Sequence, residues 1–315
     1  MRKIISGIYL SGGRFSVDIM RLLSKSKYRI KHYGNSFDII CDNKRIRMSY
    51  KHILYLRGIL QTFDHFFYAV LPVYVDGYEL VDFSTPRYHK VYGFDLHPII
   101  FPSFAEPVLT TEQYLDFAEL KEGSVALDLG SYSGLTSILF SQKAGKTGMV
   151  IAVDADKKNI RCIKENFLLY KNITGMHIDL LEGAVWENNE GIDFSHEGNL
   201  GSSAVSIVGK HRDKVEKVKT FTLDSIVEKY ELKRLDFIKC DIEGAETVIF
   251  KNQAFFKKFK PRIIIEIHYD HSKSTLDICK DILAKYGYSF KVIKQIGFDM
   301  PLLECYPDRK TVGED

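Results

Sequence analysis

Four apolar runs in this chain end on acidic side chains, an arrangement that can hold a ligand or move a proton. The first is Val125-Ala-Leu-Asp-Leu-Gly-Ser-Tyr-Ser-Gly134, an apolar strand running through Asp128 into a glycine turn at Gly130, with Gly134 opening a helix. Ligands of open α/β sheets sit at such carboxyl ends of strands. The spacing D-x-G-x-x-x-G is not the G-x-G-x-x-G dinucleotide fingerprint, and a pyrophosphate wants N–H groups with no carboxylate beside them. Asp128 suits a cationic cofactor instead, one bearing an ammonium group near a sulfonium. The second run, Val150-Ile-Ala-Val-Asp154, ends twenty residues after Gly134, where a carboxylate can accept both hydroxyls of a ribose. Asp156 is placed to cap the next helix, so Asp154 is the better ribose ligand. The third and fourth runs end in Asp241-Ile-Glu-Gly-Ala-Glu246 and Glu266-Ile-His268. Asp241, Glu243, Glu266 and His268 thus form a candidate polar ring at the same sheet edge. Other roles exist for two of them: Glu243 near a helix N-terminus and His268 as a satisfied core histidine.

These residues need elements to position them. Residues 124–129, 149–153, 176–181, 237–241 and 262–268 read as strands. Helices fit at 111–120, 134–143, 156–170, 244–250 and 273–286, an alternation that argues for a mostly parallel sheet with helices on both faces. Residues 191–222 interrupt it with short β-like runs, an inserted antiparallel excursion. The first hundred residues read as a separate α+β segment. Residues 28–30 and 37–41 flank Gly34-Asn35 as a hairpin, 44–48 add a strand, and 51–69 carry apolar side chains at helical spacing. Twelve aromatics fall between Phe63 and Phe104, and a local core explains them better than a stacking surface for sugars or bases. The expected division is 1–104 and 105–315.

Composition bounds the rest. The 315 residues are 45% hydrophobic and 27% charged, enough to bury a large core, which excludes global disorder. No apolar run approaches the ~20 residues of a membrane helix, and the N-terminal apolar stretch is too short for a signal peptide. Five cysteines, the closest pair 26 apart, give neither a C-x-x-C site nor an even disulfide set. Together these point to a cytoplasmic protein. Residues 1–60 hold 13 Lys/Arg against 3 Asp/Glu, or +10, leaving 31 against 38, or −7, in the remainder. That segment could recruit an anionic acceptor, or merely present a solvated face.

From about residue 104 to 306 the chain resembles the FkbM family of methyltransferases, a branch of the S-adenosylmethionine-dependent class I (Rossmann-like) fold. The family's D-x-G-A-x-x-G stands here as Asp128-Leu-Gly-Ser-Tyr-Ser-Gly134. Asp154 with Asn159 and Asn166, Thr222-Leu-Asp-Ser225, Lys239-Cys-Asp-Ile-Glu-Gly-Ala-Glu246, Glu266-Ile-His268 and Lys285-Tyr-Gly-Tyr288 follow in the family's order. Ser131 replaces the usual alanine, and Tyr132 stands where asparagine is common. The resemblance implies contacts from Asp128, Gly130, Ser131, Tyr132 and Gly134 to the methionine part of S-adenosylmethionine. It implies Asp154 and Ala155 at the ribose, and Ala184 and Val185, with Trp186 beside them, at the adenine. It also suggests a carbohydrate or other small-molecule acceptor. His268, Asp241 or Glu266 could act as the base that takes the acceptor's proton, or Asp241 and Glu266 could hold Mg2+. Sugar O-methylation is therefore the expected activity. A nucleic-acid methyltransferase and a non-catalytic binding protein on the same fold are the competing readings.

Overall fold

The computed structural model describes residues 27–105, 108–195, 203–204, 215–251, 253–270, 273–295 and 300–308. The chain falls into two compact units that divide between Val108 and Leu109.

The first unit is built on a five-stranded sheet. Arg29–Tyr33 (β1), Ser36–Cys41 (β2), Lys44–Ser49 (β3), Val73–Val75 (β4) and Tyr78–Phe83 (β5) lie in the order β1-β2-β3-β5-β4. The hairpin at Gly34-Asn35 and the third strand form as the sequence indicates. The helix expected over 51–69 does not form as one piece. It breaks into two 3-10 turns and the short helices Leu56–Gln61 and Phe66–Ala69. Thr62 marks one break: its backbone, at φ −112° and ψ 21°, leaves helical geometry while its N–H and its hydroxyl both donate back to the Gly58 carbonyl at 2.9 Å. The phenylalanines of the aromatic run build a local core in which Phe104 meets His52, Tyr55, Phe66 and Phe83, whereas Tyr68, Tyr74, Tyr88 and Tyr92 are exposed.

Part of the charge in this unit is paired internally, while Lys27, Arg29, Lys31, Lys51 and Arg57 are exposed. Asp38, fully buried on β2, accepts from Arg47 at 2.7 and 3.0 Å and from Arg45 at 3.5 Å. Lys44 pairs with Asp64 at 2.9 Å. These cations of the basic segment are engaged within the unit, and residues 1–26 of that segment lie outside the described residues. Removing Asp38 leaves two guanidinium groups without their anion, and breaking a buried pair costs about 3–5 kcal/mol. Because Arg47 reaches solvent, Asp38→Ala should lose about 3 kcal/mol in urea denaturation. A loss under about 0.5 kcal/mol would show that the pairing is incidental.

The second unit holds a seven-stranded sheet. Its strands are Val125–Leu129 (β6), Met149–Asp154 (β7), Asp179–Glu182 (β8), Phe237–Cys240 (β9), Arg262–Glu266 (β10), Tyr288–Lys294 (β11) and Pro301–Pro307 (β12), in the order β8-β7-β6-β9-β10-β12-β11. The central pairs are parallel, and β12 runs antiparallel to both neighbours. This is the class I methyltransferase fold. The principal helices are Val108–Ala118 (α1), Leu135–Ala144 (α2), Lys157–Thr174 (α3), Leu223–Lys229 (α4) and Leu276–Ala284 (α5). The excursion after β8 is antiparallel, as expected, with Ile192–Ser195 between Ser203–Ala204 and Val215–Val218. Residues 205–208, read as part of it, lie outside the described residues.

Strands β6, β7, β9 and β10 are apolar runs because both faces of the sheet are covered, and Leu127, Ile151, Ile238 and Ile264 are fully buried. The order reverses between β6, which leads outward to β7 and β8, and β9, which leads the other way. That reversal opens a crevice at the carboxyl ends of β6 and β9. All five cysteines are buried free thiols: Cys41 in the first unit and Cys162, Cys240, Cys279 and Cys305 in the second.

Candidate active site

A cleft of about 680 Å³, measured out to its open mouth, lies at that crevice. Gly130, Tyr132, Asp154, Ala155, Asn159, Ala184, Val185, Trp186 and Asp241 all contribute to it, with Ile192 and Phe194 from the antiparallel excursion.

The turn after β6 depends on backbone geometry that its sequence permits. Gly130 has φ +78°, and a Cβ there would stand 1.8 Å from the Asp241 carbonyl oxygen. The ends of β6 and β9 therefore approach backbone to backbone. Tyr132 holds a left-handed φ of +50°, a strained conformation for a non-glycine residue. That conformation aims its N–H at Asp154 Oδ2, 2.8 Å away.

Asp154, at the tip of β7, also accepts from the Asp156 N–H at 2.9 Å and from Asn159 Nδ2 at 3.2 Å. Burial pushes its carboxyl up to about 7, against the N–H groups of Asp156 and Tyr132, which favour the charged form. Asp156 caps α3, as the sequence indicates, by accepting from the Lys158 and Asn159 N–H groups. Asn159 Oδ1 is buried with no hydrogen-bond partner, an acceptor without a donor in the wall of the cleft.

Three residues expected at the cofactor lie outside the cleft lining. Asp128 is fully buried and is the register partner of Lys239 across the β6–β9 pair. Its Oδ2 accepts from Ser137 Oγ at 2.5 Å, and Lys239 Nζ stands 3.4 Å from Oδ1. The cation that answers Asp128 is therefore a lysine of the neighbouring strand. Ser131 turns into the sheet, donating to the Asp128 carbonyl and accepting from the Val153 N–H. Gly134 caps α2 at φ +80°, where a Cβ would strike the Phe167 ring at 2.6 Å, so it serves the packing of α2 against α3.

The polar ring does assemble. His268, buried just beyond β10, places Nδ1 2.8 Å from Glu246 Oε1. Its Nε2 faces Asp241 Oδ1 at 3.5 Å, Glu243 Oε2 at 3.8 Å and Glu266 Oε1 at 3.9 Å. Burial opposes charge on the imidazole, but Glu243 and Glu246 outweigh it and hold the pKa well above the ordinary histidine value. Burial and the facing carboxylates push Glu243 up to about 8 and Glu266 to about 7. Of the ring, Asp241 and Glu243 line the cleft.

Sequence reasoning missed Lys239 as a site residue. Its ammonium donates to the Gly130 carbonyl at 2.6 Å and lies 3.5 Å from Asp241 Oδ2, joining the glycine turn to the ring. The signal was available, because a lone lysine in a fully buried strand must have an anionic partner. Asn159 and Glu246 were legible only as motif letters.

Comparison with known proteins follows the same outline. The family profile described as "Methyltransferase FkbM domain" matches residues 128–290. No curated protein sequence matches the chain. Among solved structures, the methyltransferase FkbM of Methylobacillus flagellatus KT is 18% identical over 62% of this chain and 50% of its own, with a TM-score of 0.42. The chain thus spans half the length of that protein. Precorrin-6y C5,15-methyltransferase of Geobacter metallireducens GS-15 is 15% identical, covering 63% of this chain and 87% of its own, with a TM-score of 0.39. The S-adenosylmethionine-dependent O-methyltransferase of Thermotoga maritima is 11% identical, covering 64% and 66%, with a TM-score of 0.38.

Proposed function

The chain belongs to the FkbM family of S-adenosylmethionine-dependent methyltransferases, and from that premise we propose that it methylates a hydroxyl of a sugar-containing acceptor. The observation that carries the proposal is the polarity of one cleft. Asp154 stands at one end, Asp241 and Glu243 at the other, with Gly130 between them.

The first end fits the cofactor's nucleoside. A ribose diol supplies donors for the Asp154 carboxylate, which Asn159 Nδ2 holds in place, and Ala184, Val185 and Trp186 offer an apolar slot for the base. Gly130, bare of side chain, lets the methionine part lie against the backbone. S-adenosylmethionine supplies an electrophilic methyl group on sulfur, and the remaining steps belong to the protein. Asp241 and Glu243, whose carboxyl stays protonated below about 8, offer a hydrogen-bond acceptor and a donor that match a hydroxyl-rich acceptor, while Ile192 and Phe194 give its ring an apolar wall. Holding the acceptor oxygen about 3 Å from the methyl carbon supplies much of the rate.

Asp241 is the group proposed to take the hydroxyl proton. It lines the cleft, whereas the His268 ring is enclosed by Glu246 on one side and three carboxylates on the other. Asp241 stands 3.5 Å from both Lys239 Nζ and His268 Nε2, which fix its orientation. Released S-adenosylhomocysteine, measured with purified protein and a panel of sugars, nucleotide sugars and RNA, tests the reading. Turnover on RNA with none on the sugars would overturn the acceptor class.

Asp154 gives a sharper expectation. Asp154→Ala should weaken S-adenosylhomocysteine binding by about 10- to 100-fold, the equivalent of ~1.5–3 kcal/mol for a hydrogen bond to a charged group. The carboxylate form is the acceptor and its pKa is raised to about 7. Affinity should therefore rise from pH 6 to pH 8 and fall as Asp154 takes up its proton. Asp154→Asn should flatten that profile in calorimetry. An unchanged wild-type affinity across the range would remove Asp154 from the cofactor site.

A further inference from the structure

The His268 ring is arranged as metal-bound imidazoles are. One nitrogen, Nδ1, is engaged by the fully buried Glu246, whose Oε1 also accepts from the Ile242 N–H at 3.4 Å. A carboxylate behind an imidazole fixes its tautomer and turns the other nitrogen toward an ion. That other nitrogen, Nε2, takes part in no hydrogen bond among the described residues, although the side chain is only 5% exposed. It looks onto three carboxylates at 3.5, 3.8 and 3.9 Å, the last two beyond hydrogen-bonding range.

Such spacing suits donors that share an ion. Ligand atoms about 2.0–2.1 Å from a four-coordinate metal stand roughly 3.3–3.4 Å from one another. One donor atom each from Asp241, Glu243 and His268 lies within 4.8 Å of the other two. Side-chain movement of roughly an ångström would bring all three to coordination distance. The turn that joins two of them holds Glu243 at a left-handed φ of +54°.

Four carboxylates, from Asp241, Glu243, Glu246 and Glu266, surround one imidazole. Lys239, 3.5 Å from Asp241 Oδ2, is shared with Asp128 and the Gly130 carbonyl. The donor chemistry then selects the ion. Mg2+ and Ca2+ favour all-oxygen shells, whereas two carboxylates with one imidazole suit Mn2+, Fe2+ or Zn2+.

We propose that Asp241, Glu243 and His268 bind one divalent first-row transition-metal ion, with Glu246 orienting the imidazole and Glu266 in reach as a further donor. The ligand set differs from the oxygen-only pair of Asp241 and Glu266 that the sequence suggested for Mg2+. The site itself stands on this geometry, and only its use rests on the methyltransferase reading. With the ion present, an acceptor hydroxyl would be drawn to it and acidified, and Asp241 would serve as ligand. The hydroxyl proton would still pass to Asp241, through the carboxylate oxygen not held by the ion, as the oxygen–methyl bond forms and the sulfur–methyl bond breaks, the electron pair remaining on sulfur.

The test uses the full chain, stripped with chelator and titrated with Mn2+ while electron paramagnetic resonance follows the free ion. One site per chain is expected in the wild type. Glu243→Gln should bind at least 10-fold more weakly, and Glu246→Gln, which touches only the far nitrogen, about 10-fold more weakly. Thermal melts identify any variant that fails to fold. S-adenosylhomocysteine calorimetry on the same samples tests the methyltransferase reading separately. Failure of the stripped wild type to bind either Mn2+ or Zn2+, or undiminished affinity in folded Glu243→Gln, would overturn the site. Loss of cofactor binding with one Mn2+ retained would overturn the function and leave the site standing.

Discussion

Gly130→Ala should abolish measurable cofactor binding and destabilise the second unit by several kcal/mol. Two costs combine at this position. The φ of +78° is unfavourable for any L side chain, and the new Cβ would lie 1.8 Å from the Asp241 carbonyl oxygen and 2.9 Å from its carbon. Both contacts are to backbone, which cannot swing aside as a flexible side chain would. The turn after β6 must then part from the end of β9. The 2.6 Å bond from Lys239 to the Gly130 carbonyl and the 3.0 Å bond from the Asp241 N–H to the Leu129 carbonyl are both placed at risk. A loss of more than 100-fold in S-adenosylhomocysteine affinity is expected by calorimetry, since strain and a lost network act together. Gly175→Ala is the control. It has nearly the same φ, +73°, but open space around the missing Cβ, so it isolates the backbone cost, about 1–2 kcal/mol. If both variants lose the same stability and both bind the cofactor, the close approach of the two strands has no functional weight.

Asp241→Asn should lower turnover by ~10²–10⁴-fold while leaving S-adenosylhomocysteine affinity within a few-fold of wild type. Asparagine keeps the shape and one acceptor oxygen but cannot accept the proton, nor supply a negative charge between Lys239 and His268. The lesion belongs to kcat, because the nucleoside end of the cleft is built by other residues. Single-turnover measurements with a reactive acceptor separate this outcome from slow product release. An Asn variant with wild-type kcat would leave positioning as the whole of catalysis and would reduce Asp241 to a wall of the cleft.

How much of this was legible in the sequence depends on burial. Strands β6, β7, β9 and β10 are short apolar runs closed by turns, so their positions and the convergence of their carboxyl ends could be read directly. The last pair, β11 and β12, was not among the strands read from apolar runs, although the family resemblance implied a strand after Lys285-Tyr-Gly-Tyr288. Strand β11, at the sheet edge, is half exposed, and its Tyr-Ser-Phe-Lys-Val-Ile-Lys sequence carries a weak alternation. Asp128 shows a different limit. Its place at a strand end was right, but its partner was set by the register of β6 with β9, a pairing across more than a hundred residues that spacing does not reveal. His268 shows a third. Sequence placed it near Asp241 and Glu266, but only the folded turn brings Glu246 behind its ring. Between 51 and 69 the apolar spacing was correct and the continuous helix was not, because the backbone leaves helical geometry at His52 and at Thr62.

The distribution of the cysteines gives the molecule a built-in reporter of its own opening. Burial raises the thiol pKa of Cys162 to about 12 and pushes Cys240, Cys279 and Cys305 up as well, so neither access nor thiolate is available in the native state. Alkylation must then wait for excursions that expose the sulfur, and where reclosing is fast its rate measures the free energy of the excursion. Cys41 samples the first unit and the other four sample the second. Peptide-resolved labelling kinetics therefore reads the stability of each unit separately in a single intact chain. A cofactor that closes on the second unit should slow four of the five thiols and leave Cys41 at its own pace.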